Sequence, residues 1–149
     1  MLRPYRVGIV AIVLMAMAPT VVTAQTLGYA VGGPIICGKT CALWYVGGGD
    51  EKLSGQAGFG AELGVLSSPD GSVNVGLLSL HATSYGGSGK GARPFVTGGY
   101  SFFVGAPSAA GLWSVGAGAD WWRARHAGFR FEVRATGLIP GARLGFVFR

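Results

Sequence analysis

Along residues 111–149 apolar and polar positions alternate with a period of two. Between Leu112 and Trp122, one face carries Trp113, Val115, Ala117, Ala119 and Trp121, and the other Ser114, Gly116, Gly118 and Asp120. From Gly128 to Thr136, Phe129, Phe131, Val133 and Ala135 oppose Gly128, Arg130, Glu132, Arg134 and Thr136. Leu144, Phe146 and Phe148 then oppose Arg143, Gly145, Val147 and Arg149. A helix would repeat every 3.6 residues, so the pattern predicts three consecutive strands, each with one dry and one wet face. Trp113 and Trp121 bracket small apolar residues eight positions apart. At ~3.3 Å per residue this matches the height of a membrane-barrel apolar band and makes both expected interfacial aromatics.

Earlier residues extend the pattern. Leu27, Tyr29 and Val31 alternate with Gly28, Ala30 and Gly32, predicting a short first strand that stops at Gly33-Pro34. A second strand runs from Ala42 to Gly48, with Trp44 and Val46 opposite Leu43 and Tyr45, and Gly49-Asp50-Glu51-Lys52 closes it as a turn. Over residues 56–66, Ala57, Phe59, Ala61, Leu63 and Val65 oppose Gln56, Gly58, Gly60, Glu62 and Gly64, which points Glu62 inward. Ser68-Pro69-Asp70-Gly71 is a tight-turn signal and implies a hairpin. In Ser72–Tyr85 the phase set by Val73, Val75 and Leu77 breaks at Leu78 and Leu80, which predicts a bulge near Leu77. Residues 86–91 form a glycine-rich connection, and Pro94–Val104 sets Val96, Tyr100 and Phe102 against Thr97, Gly99 and Ser101. Eight strands result, joined by brief connections and most of them near the ~9–11 residues that a tilted strand needs to cross a bilayer.

At the N-terminus Arg3 and Arg6 precede an apolar run from Val7 to Met17, followed by Pro19 and a small-residue site at Val22-Thr23-Ala24. This predicts a secretory signal peptide over residues 1–24 and one domain over 25–149. Composition then argues against a soluble core. Glycine supplies 28 of 149 residues and charged residues only 12%, against a usual ~25%. Losing Arg3 and Arg6 takes the formal charge from +6 to +4. The remaining cations form no run, so nucleic-acid binding is not expected. In an oxidising compartment a small disulfide loop is the default for Cys37 and Cys41. Free thiols are the alternative, and a metal site is disfavoured because no histidine lies nearby.

Glycines on the polar faces (Gly58, Gly60, Gly64, Gly99, Gly116, Gly118, Gly145) suggest bends or crowding inside a small closed sheet. Closure removes edge strands, which hydrocarbon does not tolerate. Arg93-Pro94-Phe95-Val96-Thr97-Gly98-Gly99-Tyr100, Gly116-Ala117-Gly118-Ala119-Asp120-Trp121-Trp122, Gly128-Phe129-Arg130-Phe131-Glu132-Val133-Arg134 and the ending Leu144-Gly145-Phe146-Val147-Phe148-Arg149 carry a family resemblance. Together they resemble the bacterial outer-membrane β-barrel domain, the small eight-stranded barrels similar to outer-membrane protein A, and the likeness is specific from about residue 55 onward. It implies an all-β, eight-stranded antiparallel up-and-down transmembrane barrel. It further implies a Gram-negative-type outer membrane with its bilayer and lipopolysaccharide as partners. Insertion would use the outer-membrane assembly machinery, with Phe148 as the aromatic assembly signal and Arg149 overrunning it.

In this phasing Glu62, Asp120, Arg130, Glu132, Arg134 and Arg143 all point inward. Buried charges must be paired, which predicts an interior salt-bridge network. An eight-stranded barrel is normally filled by its own side chains, with solute conduction the competing reading. Ser79-Leu80-His81-Ala82-Thr83-Ser84 resembles the His-x-Ser of lipid A deacylase barrels, with Thr83 in the serine position, and supplies an enzymatic alternative. His126, beside Arg123 and Arg125, reads as part of a solvated turn. No Gly-x-Ser-x-Gly, His-Glu-x-x-His or phosphate loop occurs. The expectation is a monomeric, non-enzymatic barrel with a structural, envelope-integrity or adhesive role and no cofactor or metal.

Overall fold

The computed structural model describes residues 25–38, 41–87, 91–105 and 111–149, and the expected signal peptide over 1–24 lies outside them. Eight strands follow in chain order: β1 (Gln25–Ile36), β2 (Ala42–Ser54), β3 (Ala57–Ser67), β4 (Asn74–Tyr85), β5 (Ala92–Val104), β6 (Gly111–Trp122), β7 (Ala127–Thr136) and β8 (Ile139–Phe148). Each pairs antiparallel with the next, and β8 pairs back onto β1 to close an up-and-down barrel. The closed ladder leaves no free sheet edge. Residues 55–56, 86–91 and 123–126 connect strands at the end where β1 begins and β8 finishes, here called the terminal end. Residues 37–41, 68–73, 105–110 and 137–138 connect them at the opposite, disulfide end.

Period-two alternation selects the two faces. Along β7, Phe129, Phe131 and Val133 are exposed while Arg130, Glu132 and Arg134 are buried. Leu144, Phe146 and Phe148 on β8 are likewise outside, with Arg143 and Val147 inside. The exterior is therefore apolar and the interior rich in charge, the reverse of a soluble barrel.

Four sequence expectations are corrected. β1 does not stop at Gly33-Pro34 but runs to Ile36. Pairing with β8 lapses at Gly33 and Pro34 and resumes at Ile35 in the same register, while pairing with β2 is unbroken. Proline lacks the amide proton for one ladder bond but leaves the strand path intact. The first two strands are accordingly not short, at 12 and 13 residues. Gly49-Asp50-Glu51-Lys52 is not a turn. It lies within β2, whose inward face is Tyr45, Gly47, Gly49, Glu51 and Leu53. The turn falls at Gly55-Gln56, where Gly55 adopts φ 64°, the positive value that two-residue hairpin loops require. Finally, no bulge interrupts β4, because its registers with β3 and β5 are both continuous. Leu77 and Ser79 share the inward face, so the phase break in the sequence is a change of chemistry along one face and not a geometric step.

That inward apolar chemistry is local to the disulfide end. Ile35, Leu43, Leu66, Leu77, Phe103 and Ile139 pack there and, with Arg134 and Arg143, line a cavity of about 70 Å³.

Candidate functional site

The interior is built around two buried carboxylates. Glu62, on β3, accepts hydrogen bonds from Tyr45 Oη at 2.5 Å, Arg143 Nη1 at 2.7 Å, Tyr29 Oη at 2.9 Å and Arg134 Nη1 at 3.4 Å. Glu51, on β2, accepts from the Tyr85 hydroxyl, from Thr83 Oγ1 at 3.2 Å and from Arg130 Nη1 at 3.3 Å. His81 Nε2 sits 3.2 Å from the same carboxylate and 3.4 Å from Tyr29 Oη.

Arg130 joins neighbouring strands to this centre. Its Nε and Nη2 grip Asp120 bidentately at 2.7 and 3.0 Å, and Nη2 also donates to Tyr85 Oη at 2.8 Å. The guanidinium lies 4.5 Å from the ring centres of both Tyr29 and Phe95, a cation–π setting that suits delocalised charge. Arg134 Nε donates to Glu132 at 2.6 Å, and Arg143 stacks 4.1 Å over Tyr45. The six residues expected to form the network are thus buried together, with Glu132 and Arg134 paired along one strand.

Glu51, His81 and the three tyrosines complete the network and were not among the expected members. Glu51 was obscured by the turn-like string around it. The cue was the unbroken run Tyr45, Gly47, Gly49, Glu51, Leu53 at every second position. Glycine makes the tyrosine placement possible: a Cβ at Gly64 would sit 2.3 Å from the Tyr45 ring, and one at Gly47 would be 2.0 Å from its hydroxyl.

Many of these contacts cross the lumen instead of linking adjacent strands. Arg143 on β8 reaches Glu62 on β3, Arg130 on β7 reaches Glu51 on β2, and Tyr29 on β1 reaches Glu62. Every buried guanidinium meets a carboxylate within 3.3 Å or less, so the charges lock one another and fill the space between opposite walls. The hydroxyls are also engaged: Ser79 and Ser101 bond each other at 2.7 Å, and Thr83 donates to Glu51. His81 faces the lumen at 5% exposure and meets none of these serine and threonine hydroxyls, its Nε2 lying instead beside Glu51 and Tyr29 Oη.

The other singled-out residues lie at the surface or ends. Trp113 and Trp121 are half-exposed on the outer face near opposite ends of β6. Phe148 is outside and covers Gly28 with its ring. Cys37 and Cys41 are disulfide-bonded, and residues 39–40 between them lie outside the described residues. His126 is exposed in the β6–β7 connection, as its neighbours suggested.

Fold and interior together define a class: a closed eight-stranded barrel with an apolar outer wall and an ion-paired lumen. The arrangement is similar to the N-terminal β-barrel domain of Pseudomonas aeruginosa OprF, with TM-score 0.63, 20% identity, and coverage of 84% of this chain and 97% of that one. It is also similar to Neisserial surface protein A, with TM-score 0.66, 7% identity and coverage of 83% and 96%. A de novo designed transmembrane β-barrel matches with TM-score 0.65, 15% identity and coverage of 87% and 98%. At these identities the likeness is one of fold. No family model and no curated protein matches the sequence.

Proposed function

We propose that the chain is a non-enzymatic outer-membrane barrel protein of a Gram-negative-type bacterium with a structural or envelope-integrity role. The observation that carries this reading is the inverted polarity. Val133, Leu144, Phe146 and other large apolar side chains face outward, while Glu51, Glu62, Asp120 and Glu132 are buried with their arginines. Such a wall is stable only against hydrocarbon. The fold shared with small outer-membrane barrels supports the location, and the leader-like residues 1–24 support export. The bilayer and lipopolysaccharide are then its surroundings, and outward Phe148 is the residue offered to the assembly machinery.

Contacts between opposite walls argue for a sealed lumen, and an eight-stranded barrel has room for little more than its own side chains. A pore would have to pass both the apolar layer at the disulfide end and the ion pairs beside it. The lipid-modifying alternative would need His81 beside a free hydroxyl that faces lipid, and His81 instead meets Glu51 and Tyr29 inside. Brief connections leave little for an elaborate adhesive surface.

In planar bilayers the purified barrel is expected to give no steady conductance, and deletion is expected to sensitise the envelope to detergent. Steady single-channel currents would promote the pore reading. Release of fatty acid from lipopolysaccharide that disappears in His81→Ala would overturn the structural reading in favour of the enzyme.

A further inference from the structure

Charges outside the lumen are unequally distributed along the barrel axis. Beyond the buried network, Lys52, Arg123 and Arg125 lie toward the terminal end, with Arg93 and Arg149 on the inward phase of β5 and β8 at its mouth, and Asp50 is the only acidic side chain outside that network there among the described residues. At the disulfide end the only described charge outside the lumen is Asp70. None of the ion pairs among the described residues involves those five cations.

The cations are gathered, not scattered. Arg149 N–H donates to the His126 carbonyl at 3.1 Å, and His126 Nδ1 lies 3.1 Å from the Arg149 carbonyl. The β6–β7 turn, with exposed Arg123 and Arg125, is thereby tied to Arg149, whose guanidinium stacks 4.2 Å over Trp122. Arg93 stacks 4.1 Å over Tyr85 at the mouth. Trp121, Phe129, Phe146 and Phe148 are exposed on the wall just above, so the cations begin where the apolar belt ends.

We propose that this rim seats anionic phospholipid headgroups in the leaflet around the terminal end, an inference that rests on the membrane-spanning reading. Phosphate esters offer the oxygens that guanidinium groups grip, and cations at headgroup depth attract anionic lipid. The apolar belt beside them sets that depth and suits a lipid better than a soluble polyanion. The phospholipid source follows from the same asymmetry. Carrying charge through hydrocarbon is costly, so the charge-poor disulfide end crosses and the arginine end stays on the side of entry. In an outer membrane that leaflet is phospholipid, not lipopolysaccharide.

Tryptophan quenching by brominated lipids tests this. In a Trp44→Phe/Trp113→Phe background only Trp121 and Trp122, at this rim, report. Brominated phosphatidylglycerol is expected to be preferred over brominated phosphatidylcholine by about fivefold for each engaged cation. High salt should erase the preference, as should Arg123→Gln/Arg125→Gln/Arg149→Gln. Should the triple variant fail to fold, the salt dependence and the single variants Arg123→Gln and Arg125→Gln decide. Equal quenching by both lipids, a preference untouched by salt or by the variants, or displacement of phosphatidylglycerol by lipid A would overturn the phospholipid seat. Failure of the unaltered chain to insert into any vesicle would instead overturn the membrane reading.

Discussion

Glu62 shows how one side chain can hold several strands, because its two oxygens accept from β1, β2, β7 and β8 at once. Glu62→Ala leaves Arg143 buried without its carboxylate. The loss of unfolding free energy in urea, followed by tryptophan fluorescence, is expected to be about 3–5 kcal/mol. Phe131→Tyr, on the outer face, should cost about 1–2 kcal/mol, since it turns one neutral hydroxyl toward hydrocarbon but leaves no buried charge without its partner. Equal effects of the two changes would contradict the assignment of inner and outer faces. Gly64 matters for a different reason, since any Cβ there meets the Tyr45 ring. Gly64→Ala is expected to push Tyr45 off Glu62 at a cost of about 1–3 kcal/mol. A variant as stable as the unaltered chain would mean the ring has room to move.

At the scale of elements, β2 offers the sharpest test, since its last third was expected to be a turn. If it is a strand, neighbouring residues differ greatly in tolerance. Glu51→Ala should cost about 1–3 kcal/mol, because Arg130 keeps Asp120 but the buried Tyr85 and Thr83 hydroxyls lose their acceptor, and Lys52→Ala, exposed on the outside, within ~0.5 kcal/mol. Similar values for the pair would restore the turn. The β3–β4 connection is held by Asp70, which accepts from the Ser68 hydroxyl, the Ser72 hydroxyl and the Ser72 amide. Those bonds lower its carboxyl pKa to about 2. Because the folded value is depressed, the loop's stabilisation is complete above the ordinary value of ~3.9 and is lost as pH falls toward about 2. Carboxyl NMR should give a midpoint near 2 for Asp70, and one near the ordinary value would refute the capping arrangement.

At the scale of the molecule, closure explains why the charges can be inside at all. A sheet rolled on itself brings β2 and β3 opposite β7 and β8, so each arginine finds an acid that is 72 to 81 positions away in sequence or on a neighbouring strand. Electrical silence in planar bilayers is the expected consequence, and steady current would show that the pairs open. Strand count, antiparallel order and the faces of β3 and β5–β8 were legible in the sequence, because the period-two pattern is a local property of a wall with unlike sides. The inward direction of Glu62, Asp120, Arg130, Glu132, Arg134 and Arg143 followed from the same alternation. What pairs with what was not legible. Glu51, His81, Tyr29, Tyr45 and Tyr85 join the network through distances set by barrel closure, and the true end of β2 is set by its register with β1 and β3. Alternation along one strand determines which way a side chain points. Only the closed sheet decides what it meets there, because the partner comes from the opposite wall.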